Sequence, residues 1–187
     1  MRTRKFVKKK TPREIFLVIC EGETEREYVE MLKLHYRLPV TIKTKISGNK
    51  ISQRLVSQYL ADLGIGKEDN CRVFFLYDAD VEDIIDKLTK LSGTLILSNP
   101  CVELWYMLHV KDYRKQVNSS GIVRELAASH EAWGNYQKGW LNQCQSKFLV
   151  ERCSEASTRA RQLKWHNNPS SNMYVLLEAM ENAKKLG

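Results

Sequence analysis

Two short stretches place carboxylates where chemistry could use them. "FLVICEGETEREYV" ends its apolar half at Cys20 and then sets Glu21, Glu23, Glu25 and Glu27 on alternate positions; "FFLYDAD" ends on Asp78 and Asp80. Carboxylates brought together repel, by roughly 4 kcal/mol for a pair about 4 Å apart at an effective dielectric near 20. Protons, basic side chains or a cation must neutralise them. Oxygen donors suit Mg2+ or Mn2+, and Mg2+ partners phosphate. In a chain of net charge +8, such carboxylates point to phosphodiester chemistry.

Both stretches follow apolar runs. "IFLVIC" (15–20), "VTIKTKI" (40–46), "RVFFLY" (72–77) and "TLILS" (94–98) read as strands, separated by helical spacing over 23–37, 50–63 and 81–91. This alternation predicts an α/β fold with a parallel sheet of about four strands flanked by helices. The first and third runs are continuously apolar, as in strands covered on both faces. The second alternates with lysines, as at an edge. Sites in such sheets form beyond the carboxyl ends of the strands. If strands one and three are neighbours, Glu21, Asp78 and Asp80 converge there. A capping explanation stands beside the metal one: Thr24 and Glu27 have capping-box spacing, and Asp80 precedes a helix beginning near Val81.

After Ser98 the pattern becomes helical. "PCVELWYMLHV" opens with Pro100 in its first turn and Asn99 as cap. Further helices are expected over 121–133, 145–166 and 173–185, with loops at "KDYRKQVNSSG" and "HNNPSSN". The expected division is a basic tail (1–12), an α/β core (13–110) and a helical C-terminal extension packed on that core (111–187).

Five cysteines, an odd number without a C-x-x-C pair, suggest neither a disulfide framework nor a zinc knuckle. No apolar run is long enough to span a bilayer, and the N-terminus lacks the apolar stretch of a secretory signal. A cytoplasmic protein without membrane contact is expected. Seven lysines and arginines precede the first acid, Glu14, with Lys8, Lys9 and Lys10 in a row. Lys147, Arg152, Arg159, Arg161 and Lys164 fall in or near one expected helix. Both clusters are candidate phosphate-binding surfaces, or simply solvated charge.

The motifs "FLVICEGETEREYV", "FFLYDAD", "LSNPCVELWYMLH" and "NNPSSNMYVLLEAM", in this order, resemble the RloB-like proteins, the group that includes AbiLii-type abortive-infection proteins. The first two also resemble the toprim catalytic domain. The resemblance implies a toprim-like (Rossmann-like) core in which Glu21 is general acid/base or metal ligand and Asp78 and Asp80 bind Mg2+ or Mn2+. Gly22 lets the backbone turn, and Glu25 lies one helical turn on. Ser98, Asn99 and Glu103 follow strand four and face the same rim. It further implies a metal-dependent nuclease of anti-phage defence, acting on DNA or RNA, transfer RNA included, under control of an AAA or ABC-type ATPase. The alternative is a non-catalytic module that docks nucleic acid or the ATPase.

Glu103 sits in an apolar helix, where an unpaired carboxylate is costly to bury; it is expected to pair with an arginine or to reach the metal site. His109 ends that helix. "WGNYQKGW" (133–140) combines aromatics with Lys138, either to stack on bases or to anchor a loop on the core.

Overall fold

The computed structural model describes residues 14–66 and 68–185; the tail 1–12, with Lys8, Lys9 and Lys10, lies outside them. Five strands form one sheet: β1 (Ile15–Cys20), β2 (Thr41–Ile46), β3 (Cys71–Asp78), β4 (Thr94–Asn99) and β5 (Ser170–Ser171). The spatial order is β2-β1-β3-β4-β5. The first four are parallel, and β5 runs antiparallel to β4. Cys20 lies opposite Leu76, and Asp78 opposite Ser98, so the carboxyl ends of β1, β3 and β4 form one rim.

Alternate side chains of the central strands feed two cores. Phe16, Val18, Cys20, Phe74, Leu76 and Ile96 join α1 (Glu23–Tyr36) and the C-terminal helices in one cluster. Leu17, Ile19, Phe75, Tyr77 and Leu97 meet α2 (Gln53–Asp62) and α3 (Glu82–Leu88) in the other. Burial on both faces explains the continuously apolar β1 and β3. β2 lies at the edge, in keeping with its alternating pattern.

The C-terminal half is built round α4 (Val102–Val110). Every residue from Val102 to His109 is buried. The remaining helices are α5 (Ser119–Ser129), α6 (Gln143–Glu151), α7 (Cys153–Arg161) and α8 (Tyr174–Lys185). No helix among the described residues is long and apolar enough to cross a membrane.

Three local expectations are corrected. The single helix over 145–166 is two, broken at Arg152, which leaves helical geometry at φ −113° and ψ 12°. The N-cap of α4 is Cys101, not Asn99, and Pro100 precedes the helix. The loop "HNNPSSN" contains β5, against which the Asn172 side chain extends the edge of β4. Its Oδ1 accepts the Leu97 amide (2.7 Å) and its Nδ2 donates to the Leu95 carbonyl (2.8 Å). A side-chain carboxamide thus copies the donor and acceptor of a further strand residue.

Candidate active site

The rim is assembled by backbone hydrogen bonds that aim carboxylates at one another. Glu21 stays in the ladder through its amide to the Leu76 carbonyl (2.9 Å). Its Oε2 reaches across to accept the Asp78 amide (2.9 Å). Asp78, the last residue of β3, accepts the Val102 amide at Oδ1 (2.9 Å) and so serves the first turn of α4, where a helix N-terminus favours negative charge. Glu25 folds back so that its Oε2 accepts the Gly22 amide (2.8 Å). A Cβ on Gly22 would lie 3.3 Å from that oxygen, so the missing side chain is what admits the carboxylate.

Glu103, on the first turn of α4, is fully buried. Its Oε1 accepts the Tyr136 hydroxyl (2.9 Å) and faces the Lys138 Nζ at 3.3 Å. Its Oε2 has no hydrogen-bond partner among the described residues, an expensive condition for a buried carboxylate oxygen.

The crowding shows in the acidities. Burial, then the charges of Glu25, Glu21 and Glu103, push Asp78 up to about 9 against the opposing Val102 amide. Burial also lifts Glu25 to about 7, helped by Glu21 and Glu103. Glu21 is raised by burial and by Asp80, and held back by the Asp78 amide and the Lys138 charge. At neutral pH the rim therefore stores protons that a cation could replace.

The sequence matches the family model of RloB-like proteins over residues 16–180. The chain belongs to the RloB-like family. No curated protein and no solved structure matches it.

In this RloB-like protein Asp80 has different surroundings from the other two expected ligands. It is exposed, accepts the Ser119 hydroxyl at 3.4 Å, and lines a cavity of about 690 Å3 with Asn99, Gln116 and Asn118. Its charge still reaches Glu21. Neither capping explanation holds: the N-cap of α3 is Val81, and the Thr24 hydroxyl accepts the Gly139 amide (3.0 Å) instead of closing a box with Glu27. Ser98 is turned to β5, where its hydroxyl meets that of Ser171 (2.9 Å). Asn99 donates to the His166 carbonyl at 3.4 Å.

The partner of Glu103 is a lysine with a tyrosine, not an arginine. Both come from the "WGNYQKGW" loop, whose Trp133 is buried and stacked on Tyr106 with ring centroids 5.3 Å apart. The loop therefore anchors on the core through Trp133 and carries Lys138 to the rim. Its Gln137 and Trp140 pair antiparallel. Burial pulls Lys138 down, but attraction by Glu103, Cys101 and Asp78 together outweighs it and raises Lys138. His109 is buried, bonded through Nδ1 to the Trp105 carbonyl (2.8 Å), and pushed down to about 3 by burial; it is a neutral core side chain.

The expected single basic helix is two helices, and most of its cations have intramolecular partners. Lys147 pairs with Glu151 at 3.7 Å. Arg152 lies over the Phe148 ring. Arg159 donates to the Leu108 carbonyl near the end of α4. Arg161 binds Glu178 and covers Tyr174. Lys164 is exposed and lies beyond α7.

Among the described residues no group of three His, Cys, Asp or Glu side chains is disposed to hold a metal by itself. Mg2+ needs no such cage, since it keeps several waters and uses one or two carboxylates with substrate phosphate. The carboxylate oxygens of the rim, with the orphaned Glu103 Oε2 among them, fit a hard divalent cation.

Proposed function

We propose that the rim is a Mg2+- or Mn2+-dependent site for phosphodiester cleavage in nucleic acid, where one or two of the carboxylates Glu21, Asp78 and Glu103 hold the cation together with waters and substrate phosphate, and Asp80 adds charge from the cavity side. The observation that carries this reading is the buried, unpartnered Glu103 Oε2 inside a carboxylate cluster. When bound, the cation would stabilise charge on the phosphate and acidify a water. The chain's own part is to hold the donors still. The Asp78 and Val102 amides fix one oxygen each of Glu21 and Asp78; among the described residues the second oxygens carry no hydrogen bond. Glu25, near neutrality in its affinity for protons, suits proton exchange with a water. Anti-phage defence and control by a partner ATPase, both drawn from the resemblance, complete the proposal.

A binding module without catalysis is favoured by one observation: Lys138 already neutralises part of the cluster. The two readings separate in one experiment. Wild type, Glu21→Gln, Asp78→Asn and Asp80→Asn are incubated with DNA and RNA, with and without Mg2+, and the new ends are sequenced. The nuclease reading expects Mg2+-dependent ends from the wild type, none from the first two variants and fewer from Asp80→Asn. Absence of ends from the wild type, alone and with a co-purified ATPase, would leave the binding module.

A further inference from the structure

We propose that Lys138 couples metal loading to phosphate binding: its ammonium group holds Glu103 until a substrate phosphate draws it away. The inference rests on the rim being a metal site. Lys138 is fixed from both sides. Tyr136 donates to the same Glu103 oxygen (2.9 Å), and Gly139 donates its amide to Thr24 (3.0 Å). Gly139 sits at φ +79°, and a Cβ there would lie 3.2 Å from Glu23 Cβ, so the backbone on this side of the lysine is tightly placed.

The two ends of the ion pair differ in access. The Glu103 side chain is 0% exposed, whereas that of Lys138 is 54% exposed. A ligand at the rim can reach the lysine side chain more readily than the buried carboxylate. Glu103 Oε1 keeps the Tyr136 hydroxyl when the lysine swings out, so departure strands no oxygen on that side. A divalent cation at Glu103 Oε2 and an ammonium group at Oε1 repel each other, which keeps metal affinity low in the free protein. A phosphate diester between them attracts both. Lysine suits this exchange, being a compact charge on a flexible stem with three rotatable donors. Metal and diester then strengthen each other's binding by the same factor.

The test is Mn2+ binding followed by electron paramagnetic resonance, with dimethyl phosphate as the diester probe. The wild type should bind Mn2+ weakly, and more tightly by about threefold or more when the diester is present. Lys138→Met should bind Mn2+ about tenfold tighter than wild type without diester, and gain less from the diester than the wild type does. Lys138→Arg, which keeps the charge, should stay close to wild type. Equal or weaker binding by Lys138→Met, or no diester effect in the wild type, overturns the proposal while leaving the metal reading in place. Mn2+ binding by none of these proteins overturns both. If Lys138→Met does not fold, the diester effect in the wild type decides.

Discussion

The Asp78 carboxyl accepts an amide of α4 while three other acids surround it, and it is pushed up to about 9. The folded protein then binds a proton at Asp78 that the unfolded chain, with an ordinary carboxyl, releases near pH 4. A raised acid stabilises the fold fully below its unfolded value and loses that contribution as pH rises towards the folded one. The thermal midpoint of the wild type should therefore fall between pH 5 and about pH 9 through this group. Asp78→Asn keeps an acceptor for Val102 without the charge, so its midpoint should fall less over the same range; differential scanning calorimetry at several pH values measures both. Saturating Mg2+ should flatten the wild-type curve by replacing protons. At this scale the meeting of Glu21 and Asp78 was legible, because a carboxylate at the end of an apolar strand is placed by the strand itself. Lys138 was not. Its meeting with Glu103 depends on a loop from another part of the chain, and no spacing rule links the two.

Elements were legible where burial imposes a period. The apolar runs of β1 and β3 and the alternation of β2 follow from which faces are covered. β5 has two residues, too few to carry any period, and Asn172 performs a strand's hydrogen bonding with a side chain. The break at Arg152 has no proline or glycine to announce it. Asn172→Ala would leave the Leu97 amide and the Leu95 carbonyl without these partners and should cost about 2–4 kcal/mol in urea unfolding. Asn172→Asp still accepts from Leu97 but cannot donate to Leu95, so its cost should be close to that of alanine or greater. A loss under about 0.5 kcal/mol for Asn172→Ala would mean that water replaces the side chain at this edge.

For the whole molecule, net charge +8 and the acidic rim pull in opposite directions. Polyanions are attracted by the surplus of lysine and arginine, six of which lie in residues 1–12. Deleting residues 1–12 should weaken nucleic-acid binding and make log affinity against log salt shallower, by about 0.7–0.9 for each phosphate that the tail neutralises. Fluorescence anisotropy across a salt series measures the slope, and an unchanged slope would place the phosphate-binding groups elsewhere. Thermal stability should not change with the deletion. One arrangement at the rim also bears on inheritance. Asp78 accepts an amide from the first turn of the buried central helix as well as facing the acids, so a copy of the gene that lost the proposed chemistry would still not be free to vary there. Drift would be confined to residues that still accept the Val102 amide, such as asparagine, serine or threonine. Glu103, whose Oε2 has no partner, would be free to become glutamine, which still accepts the Tyr136 hydroxyl. Position 103 would then record the loss of the proposed activity in such a lineage, while position 78 would go on recording the fold.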